Sequence, residues 1–447
     1  MPLSCFKAYD IRGRLPDELN VDVAYRIGRA YARAVKPQRV VTGRDVRLSS
    51  ASLQQALAQG LHDEGVEVLD IGLCGTEEVY FATFHYKLDG GIMVTASHNP
   101  MDYNGMKLVR EGARPIGSNS GLAEIETAVE QDTRVCPDTL DVAMTALDHR
   151  ADYITHLLGH IDTEALTPLN ILVNAGNGPA GIIVDGLAEH LPFRFTRLHH
   201  EPDGTFPNGI PNPILEENRP VTAQAVLAAS ADFGVAWDGD FDRCFLFDEQ
   251  GQFIDGYYIV GLLADALLQI NPGSTIVHDN RMTWNTEDIV RSQGGETVVS
   301  RTGHAFIKKI MRENDALYGG EMSAHHYFRN FAYCDNGNIP WLLVAALLCK
   351  TGKPLSALVS ERIAKYPSSG EINRKVDDAP AAIERVYQHF AGTFLHEDRL
   401  DGLTLEFPQW RFNLRMSNTE PVTRLNVETR GDIKLMREKT AEIVALL

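Results

Sequence analysis

The sequence predicts three similar α/β domains with mixed, mostly parallel sheets, followed by a smaller C-terminal α+β domain. The first observation behind this prediction is an order of strand, helix and strand that recurs three times. The first strand of each repeat ends in a loop containing Gly or Asp: RVVTGRD (39–45), NILVNAGNG (170–178) and STIVHDNR (274–281). A helical stretch and a second strand follow each run, which suits right-handed βαβ crossovers between parallel strands.

A third strand in each repeat ends in a loop of polar residues, and this is the second observation. The three segments are GGIMVTASHNP (90–100), DFGVAWDGDFDR (232–243) and ALYGGEMSAHH (316–326). In open α/β sheets, ligands gather beyond the carboxyl ends of the parallel strands. We therefore expect the chemistry of the protein to lie at these three loops.

The chain after about residue 370 follows a different pattern. Strand-like and helical runs alternate there, and a fourth polar loop, RMSNTEP (415–421), follows the strand WRFNL. This stretch predicts the smaller α+β domain. Polar or Pro/Gly-rich breaks place the four domains at 1–145, 146–252, 253–367 and 368–447.

The composition is that of an acidic globular protein. Its 447 residues carry a formal net charge of −18, which disfavours nucleic acid and anionic membranes as partners. The six cysteines form no CxxC pair, so neither a disulfide framework nor a zinc site is indicated. The most apolar run, IPWLLVAALL (339–348), is shorter than the roughly 18 residues that span a bilayer and predicts a buried helix. With no apolar signal core at the N-terminus, we expect a reduced, cytoplasmic chain.

The loop DGDFDR (238–243) predicts a metal site. Asp238, Asp240 and Asp242 stand at alternate positions and can converge on one hard cation, and Mg²⁺ prefers such oxygen ligands. An EF-hand would place glycine where Arg243 stands and helices where apolar strands flank the loop. A solvated acidic turn and a DxD phosphatase remain open. In the phosphatase, Asp238 would be phosphorylated and Asp240 would carry the proton.

Ser97 is predicted to be an exposed serine at the end of a buried strand. A phosphoryl group on Ser97 could complete the coordination of a Mg²⁺ held by the acidic loop. Lys107, in NGMK (104–107), could assist proton transfer. A serine hydrolase is the competing interpretation, but TASHN lacks the GxSxG pattern, and His98 is adjacent to the serine, a position from which a ring usually cannot turn back. A hydroxyl that only caps the loop also remains open.

The two remaining loops offer groups that suit a phosphate and a sugar. RMSNTEP can wrap a phosphate dianion with backbone N–H groups and with the side chains of Arg415, Ser417, Asn418 and Thr419. GGEMSAHHYF (319–328) brings Glu321 and Ser323, which suit vicinal hydroxyls, and His325 close by. Either loop could instead be an ordinary turn, the second with an incidental histidine pair.

Taken together, these motifs resemble the α-D-phosphohexomutase family, and most closely its bacterial branch of phosphomannomutases and dual phosphomannomutase/phosphoglucomutases. The resemblance covers essentially the whole chain in order. The motifs that carry it are KAYDIRG (7–13), TASHNP (95–100), NGMK (104–107), VNAGNG (173–178), DGDFDR (238–243), TGHAFIK (302–308), GGEMSAHH (319–326) and RMSNTEP (415–421). TASHNP together with DGDFDR is very specific.

The resemblance implies a monomer whose four domains surround one central cleft. By similarity, Ser97 is the phosphoserine, and one Mg²⁺ per chain is held by its phosphate and the three aspartates. The other site residues that the resemblance implies fall into three groups: Lys107, Arg243, Arg12, His98 and His304 at the reacting phosphoryl; Tyr9, Arg12, His304, Glu321, Ser323 and His325 at the sugar; and Arg415, Ser417, Asn418 and Thr419 at the phosphate that does not react. We do not predict Arg281 to be a site residue.

The activity implied by the resemblance is the interconversion of hexose 6-phosphate and hexose 1-phosphate, for mannose and for glucose. A hexose 1,6-bisphosphate would be both the intermediate, which reorients, and the activator. The products would feed nucleotide sugars for surface polysaccharides such as exopolysaccharide and lipopolysaccharide. Two alternatives remain: a Mg²⁺-dependent DxD phosphatase with Asp238 as its nucleophile, and a sugar-phosphate sensor without catalysis.

Overall fold

The computed structural model of the chain describes residues 3–416 and 422–447. The α-helices among these residues are α1 (Val21–Val35), α2 (Ser50–His62), α3 (Thr76–His85), α4 (Ala123–Gln131), α5 (Arg150–Leu158), α6 (Ala180–Ala188), α7 (Arg219–Ala229), α8 (Gly256–Leu268), α9 (Trp284–Ser292), α10 (His304–Glu313), α11 (Ile339–Thr351), α12 (Leu355–Lys365), α13 (Ala379–Phe390) and α14 (Ile433–Leu446).

The strands of the same residues are β1 (Ile11–Arg14), β2 (Arg39–Arg44), β3 (Glu67–Leu73), β4 (Gly90–Val94), β5 (Tyr103–Arg110), β6 (Arg114–Pro115), β7 (Thr145–Ala146), β8 (Asn170–Asn174), β9 (Arg194–Leu198), β10 (Phe233–Trp237), β11 (Cys244–Asp248), β12 (Thr275–Asp279), β13 (Glu296–Ser300), β14 (Tyr318–Gly320), β15 (His326–Phe328), β16 (Cys334–Asp335), β17 (Ile372–Lys375), β18 (His396–Asp398), β19 (Leu403–Glu406), β20 (Trp410–Met416) and β21 (Val422–Thr429).

The chain divides into two compact units, of which the first comprises Met1–Phe253 and Asn330–Gly352. One sheet of this unit has the order β1-β5-β4-β2-β3-β7, in which β2 is parallel to both β3 and β4. A second sheet has the order β11-β10-β8-β9, in which β8 is parallel to both β9 and β10. The predicted order of strand, helix and strand is therefore confirmed in both sheets, and each gains an antiparallel neighbour, β5 or β11.

Two apolar strands lead the chain to the loops expected to carry the chemistry. GGIMV of β4 and FGVAW of β10 are buried at every position. Strands covered on both faces need apolar side chains throughout, because neither face meets water. Ile92 and Val94 of β4 pack into a core with residues of α1 and α2, and each such side chain contributes about 1.5–3 kcal/mol when fully buried. This packing holds the strand ends, and hence the starts of the loops, in place.

The second unit comprises Ile254–Arg329 and Lys353–Leu447. Its first sheet contains β13-β12-β14-β15, with β12 parallel to β13 and β14, and β15 antiparallel. The other sheet, β17-β21-β20-β19-β18, is antiparallel where its pairings are described, and its core contains Phe390, Trp410 and Leu414. Three α/β domains and a smaller C-terminal α+β domain are thus confirmed. The four domain boundaries stay predictions.

The apolar run IPWLLVAALL forms most of α11 and is largely buried, as predicted. Within the described residues, no single helix combines the length and the apolar composition needed to cross a membrane. Among these described helices, the required length and apolar composition are reached only when α11 and α12 are counted as one segment.

Candidate functional site

Ser97 lies three residues beyond β4 and is buried, with 2% of its surface exposed. The prediction of an exposed serine is therefore wrong, because neighbouring loops cover the end of the strand. Its backbone is left-handed, with φ of +47°, a conformation that non-glycine residues adopt only when surrounding contacts hold them there. One such contact is the bond that the Ser97 backbone N–H donates to Thr95 Oγ1, at 2.8 Å.

The hydroxyl of Ser97 contacts three of the predicted site residues. Its oxygen lies 2.7 Å from Asp238 Oδ2, to which it donates a hydrogen bond. His98 Nδ1 is 3.0 Å away, and Arg243 Nη2 is 3.5 Å away. The expectation that an adjacent histidine usually does not turn back onto the serine is thus wrong for His98. The left-handed backbone at Ser97 accompanies this close contact between the His98 ring and the Ser97 hydroxyl.

His98 is nevertheless not arranged as the base of a hydrolase. Burial, together with the positive charges of Arg243 and Arg12, lowers the pKa of His98 well below its usual value, so the ring is neutral near pH 7. Its Nδ1 accepts a hydrogen bond from Arg243 Nη2. In the serine hydrolases a carboxylate orients the histidine. Here a guanidinium contacts the same nitrogen that faces the serine, which disfavours a hydrolase.

The three aspartates of the acidic loop follow β10 and converge. Asp238, Asp240 and Asp242 are buried, and each offers an oxygen within 4.8 Å of the oxygens of the other two. Gly239 lets this loop approach the serine loop closely: a Cβ atom at that position would lie 2.5 Å from Ser97 O. Only glycine fits such a contact.

These residues fit a hard divalent cation. Oδ1 of Asp238 and Oδ1 of Asp240 are buried without a hydrogen-bond partner in the part of the chain that is described, and such acceptors are costly unless something binds them. Burial and the neighbouring Asp240 carboxylate raise the pKa of Asp242 above its usual value. Three oxygen ligands with remaining open positions suit Mg²⁺. The acidic cluster can therefore bind a metal ion.

Lys107 lies on β5, opposite Met93 of β4, and faces the acidic loop. Its ammonium group donates to Asp240 Oδ2, at 2.7 Å, and to Asp242 Oδ2. Burial alone would lower the pKa of Lys107, but the two carboxylates outweigh burial and raise it. The described arrangement therefore favours the ammonium form, and proton transfer by Lys107 stays a prediction.

Arg12 of β1 connects the N-terminal segment to the serine loop. Its Nε donates to Asp10 Oδ2 at 2.8 Å, and its Nη1 donates to Asn99 Oδ1 at 2.5 Å. The positive charge of Arg12 also lowers the pKa values of Asp240 and His98, so Arg12 interacts electrostatically with both residues. Tyr9 is half-buried in the segment before β1. The structure thus brings Arg12 to the predicted site.

Thr76, at the start of α3, is a site residue that the sequence analysis missed. Its hydroxyl donates to Asp240 Oδ2 at 2.6 Å, and its backbone N–H donates to the carbonyl of Asp240 at 3.1 Å. A signal was available, because Gly75-Thr76-Glu77-Glu78 begins two residues after β3 ends and resembles a helix start at the same sheet edge as the serine loop.

The sugar loop predicted at GGEMSAHH lies in the second unit. Glu321 is buried and accepts hydrogen bonds from the backbone N–H of Gly303, at 2.8 Å, and from the hydroxyl of Tyr327. The bond to Gly303 places the start of α10, where His304 lies, next to this loop. Burial raises the pKa of Glu321, although Arg281 opposes the shift.

The two adjacent histidines of this loop have different environments. His325 Nδ1 lies 3.4 Å from both Glu321 Oε2 and Ser323 Oγ. His326 is fully buried on β15, beside the hydroxyl of Tyr318, and burial lowers its pKa to about 3. His325 is therefore the histidine of the polar cluster and His326 belongs to the core, while binding of the substrate by His325 stays a prediction.

Arg281, which the sequence analysis left out, lies in the same region. It forms a double hydrogen bond with Asp279, at 3.0 and 2.8 Å, and its Nη2 is 3.3 Å from Ser323 Oγ. Its Nη1 is 3.3 Å from Glu371 Oε2. Its position at the end of β12, the first strand of the third repeat, was a signal that it belongs to this sheet edge.

Arg415 lies in a concentration of positive charge around Glu371. Its Nη2 donates to Glu371 Oε2 at 2.9 Å, and Arg424 Nη1 lies 3.5 Å from the other oxygen. With Arg281, three guanidinium groups face one carboxylate, and Arg415 Nε is buried without an acceptor among the described residues. Burial and Arg281 lower the pKa of Arg415. An excess of buried donors suits a phosphate dianion. Ser417, Asn418 and Thr419 lie outside the described residues.

The fold and the two clusters together define the class of protein. Consecutive family models for phosphoglucomutase/phosphomannomutase match residues 4–135 with alpha/beta/alpha domain I, 151–251 with domain II, 255–366 with domain III and 371–446 with the C-terminal domain. The chain therefore belongs to the phosphoglucomutase/phosphomannomutase family and is a phosphohexomutase, an intramolecular phosphotransferase.

Individual relatives match over the whole length. A phosphomannomutase from Salmonella montevideo is 59% identical over 451 residues, covering 100% of this chain and 99% of that protein. A Xanthomonas campestris pv. campestris (strain B100) protein named "Phosphohexose mutases" is 60% identical over 447 residues, covering 100% of each. The crystal structure of a phosphoglucomutase/phosphomannomutase family protein from Burkholderia thailandensis matches with a TM-score of 0.86 and 33% identity, covering 99% of this chain and 97% of that one.

Proposed function

We propose that the chain interconverts the 6-phosphates and 1-phosphates of mannose and glucose through a phosphoserine at Ser97. The observation that carries this proposal is the Ser97 hydroxyl, 2.7 Å from Asp238 in a buried cluster of three carboxylates and one guanidinium. A serine phosphorylated at this position has both the negative ligands of a metal ion and a permanent cation beside it. Those are the groups that phosphoryl transfer needs.

In the proposed reaction, phosphoserine donates its phosphoryl group to the free hydroxyl of a hexose monophosphate. The bond from phosphorus to Ser97 Oγ breaks, a bond to the sugar oxygen forms, and the hydroxyl proton passes to a base. The product is a hexose 1,6-bisphosphate. After the sugar has reoriented, its other phosphoryl group returns to Ser97 and leaves the isomeric monophosphate. Hexose 1,6-bisphosphate is also the proposed activator, because it can phosphorylate an enzyme molecule that has lost its phosphate.

The residues around Ser97 have distinct proposed roles. Arg243, which faces both Ser97 Oγ and Asp238, stabilises negative charge on the phosphoryl group as it moves. Lys107 supplies a second cation at the acidic loop, and Arg12 orients that side of the serine loop through Asn99. One Mg²⁺ held by the three aspartates and the phosphoserine would neutralise charge on the transferring group.

The polar groups of the second unit are the proposed sugar and phosphate ligands. Glu321 is held by Gly303 and Tyr327, so its remaining lone pairs have fixed directions for sugar hydroxyls. Ser323, His325 and His304 would add donors and acceptors. Arg415, with Ser417, Asn418 and Thr419, would bind the phosphate that does not react. In the first unit, Tyr9 and Arg12 are also proposed as substrate-binding residues.

Mass spectrometry of the full-length chain separates this proposal from the two alternatives. After incubation with hexose 1,6-bisphosphate and Mg²⁺, a phosphate on Ser97 together with turnover of mannose 1-phosphate to mannose 6-phosphate would support the mutase. A phosphate trapped on Asp238, with release of inorganic phosphate from the sugar, would support the DxD phosphatase. Tight binding of sugar phosphate without either modification would support the sensor.

Replacing Arg415 with alanine is expected to raise KM for hexose phosphate by one to two orders of magnitude. The substitution removes a charge-assisted hydrogen bond to the phosphate that does not react, worth about 2–3 kcal/mol. Because that contact would hold the intermediate as well, the bisphosphate should also escape more often. Steady-state kinetics and the yield of free bisphosphate per turnover check this expectation.

The matched control for this prediction is Arg399→Ala. Arg399 belongs to the same C-terminal domain, but it is exposed and pairs with Glu397. This variant should keep the KM of the wild-type enzyme. If Arg415→Ala and Arg399→Ala have the same KM and release the same amount of bisphosphate, Arg415 does not bind the distal phosphate.

Mannose 1-phosphate and glucose 1-phosphate are expected to have kcat/KM values within about 1–2 kcal/mol in activation free energy. The hexose must turn by about half a rotation to present first C6 and then C1 to Ser97. In that rotation the 3- and 4-hydroxyls approximately exchange places, so Glu321 and Ser323 can bind them in both poses. The 2-hydroxyl, at which mannose and glucose differ, has no such counterpart.

Galactose 1-phosphate provides the matched comparison, because it is inverted at C4. Its hydroxyl should leave a buried partner on Glu321 or Ser323 unpaired, with a loss of about a hundredfold or more in kcat/KM. Measuring the three sugars side by side tests the assignment. Strong discrimination between mannose and glucose, or tolerance of galactose, would show that the loop at GGEMSAHH does not bind the sugar in this way.

A further inference from the structure

Arg47 lies in the turn between β2 and α2 and is buried, with 4% of its surface exposed. Its guanidinium donates four hydrogen bonds, three of them to backbone carbonyls of the loop that contains Ser97 and one to the first residue of β5. Nη2 bonds to the carbonyls of Ser97 and Asn99 at 2.9 and 2.6 Å. Nη1 bonds to the carbonyls of Pro100 and Tyr103 at 2.8 and 3.1 Å. One side chain therefore bonds the serine loop at several points, from Ser97 to the start of β5.

Arg47 is itself held from two sides. Asp45 Oδ2 lies 3.4 Å from Arg47 Nε, and Asp45 Oδ1 accepts from the backbone N–H of Arg47 at 3.0 Å and from Ser50 Oγ at 2.6 Å. The guanidinium also lies over the ring of Phe206, with its carbon 5.6 Å from the ring centroid. A side chain fixed by a carboxylate and a ring is a rigid support for the loop it bonds.

The serine loop needs such a support. Ser97 has a left-handed backbone that is unfavourable for a residue with a Cβ atom, and its hydroxyl must stay beside Asp238. A phosphoryl dianion on Ser97 would bring further negative charge beside the buried carboxylates, and whenever a cation does not fully balance that charge the repulsion would push the loop away from the acidic cluster. Hydrogen bonds from a cation to the loop carbonyls oppose such a movement from the other side of the chain.

We propose that Arg47 is a positioning residue for phosphoryl transfer, which keeps phosphorylated Ser97 aligned with the acceptor hydroxyl in both half-reactions. This inference rests on the proposed function. Arg47 bonds the carbonyl of Ser97 rather than its hydroxyl, so its effect on the reacting group passes through the backbone. A displacement of about 1 Å in a reacting group can cost a hundredfold in rate, and the four carbonyl bonds prevent a displacement of that size.

The test uses the full-length Arg47→Lys variant. An ammonium group keeps the charge but has a single nitrogen, which cannot bond four carbonyls in the directions that the guanidinium satisfies. We expect kcat to fall at least about thirtyfold, with KM for hexose phosphate within about threefold of the wild-type value. Once Ser97 has been phosphorylated with hexose 1,6-bisphosphate, its phosphate should pass to water several times faster in the variant. Mass spectrometry of the protein over time measures that loss.

Arg29→Lys is the matched control for loss of a buried guanidinium. Arg29 lies in α1, with 6% of its surface exposed, and its partners are the side chains of Tyr25, Asp63, Glu64 and Asp132. We expect this variant to lose thermal stability but to keep kcat within about twofold of the wild type. If Arg47→Lys resembles Arg29→Lys in kcat and in the lifetime of the phosphoserine, Arg47 is only a structural residue and the inference is overturned.

The Asp45→Asn variant tests whether Arg47 is a positioning residue if Arg47→Lys does not fold. The amide keeps the size of the carboxyl group and its acceptor for Ser50, but it removes the charge that orients Arg47. We expect kcat to fall about tenfold with KM unchanged; an unchanged kcat would overturn the inference. Wild-type and Ser97→Ala enzymes measured in parallel separate the two proposals. Absence of mutase activity in the wild type overturns both, whereas normal activity that depends on Ser97 but not on Arg47 overturns this one alone.

Discussion

The Ser97→Ala variant is expected to lose at least about a thousandfold in kcat, which corresponds to about 4 kcal/mol in activation free energy. The substitution removes the oxygen that would carry the phosphoryl group, while the three carboxylates and Arg243 remain. No other hydroxyl among the described residues donates to Asp238. The groups that would bind the sugar phosphate belong to other residues, so the dissociation constant for hexose phosphate should change little.

Two measurements check this prediction. Coupled assays of mannose 1-phosphate turnover give kcat, and equilibrium binding of hexose phosphate gives the dissociation constant. Ser52→Ala is the matched control, because Ser52 lies on the exposed side of α2, and its hydroxyl bonds only the carbonyl of Ser49 among the described groups. Near-normal turnover by Ser97→Ala would rule out the phosphoserine. A variant that neither turns over nor binds sugar phosphate would point to misfolding and can be recognised by its melting temperature.

Replacing Asp240 with asparagine is expected to lower kcat by between about a hundredfold and a thousandfold at an ordinary Mg²⁺ concentration. The amide keeps the size of the carboxylate but removes one of the three negative charges that would hold the cation. Oδ1 of Asp240 is one of the two buried oxygens without a hydrogen-bond partner among the described residues. Because the loss is one of metal affinity, excess Mg²⁺ should restore part of the activity.

A titration of activity with Mg²⁺ measures this effect directly. Asp248→Asn is the matched control. Asp248 is also a buried aspartate, at the end of β11, but its carboxylate accepts from the backbone N–H groups of Gln250 and Gln252. Asp248→Asn should keep the Mg²⁺ dependence of the wild type, even if it is less stable. An identical Mg²⁺ dependence for Asp240→Asn and the wild type would contradict the metal site at DGDFDR.

The repeated strands and the acidic loop could be predicted because their signals are local. β4 and β10 are continuous apolar runs of five residues, and such runs form buried strands. The spacing of Asp238, Asp240 and Asp242 is likewise a property of six consecutive residues. The order of the strands follows from the preferred handedness of βαβ connections. These features can be predicted without knowing which loops pack against one another.

Most of the predicted site residues of the first unit lie close together, but the residues that support them were missed. Ser97 and Asp238 are 141 positions apart, and their meeting was inferred only because each stands in a recognisable motif. Thr76 and Arg47 stand in no such motif. Each contributes one side chain from a different turn, and its partner is decided by how the turns pack. The helix start at Gly75-Thr76 indicates the sheet edge at which Thr76 lies, but no sequence pattern identifies the particular group that Thr76 or Arg47 contacts.

The sequence by itself determined the fold class, the family and the loops that contribute to the two polar clusters, because strand patterns and motif spacings are properties of short stretches. Only the tertiary structure decided the state of individual side chains. It buried Ser97, brought His98 back to the Ser97 hydroxyl, and placed His325 beside Glu321 and His326 in the core. The physical reason is that burial and hydrogen bonding depend on groups that are distant in the chain. Two adjacent histidines look equivalent until packing gives them different neighbours.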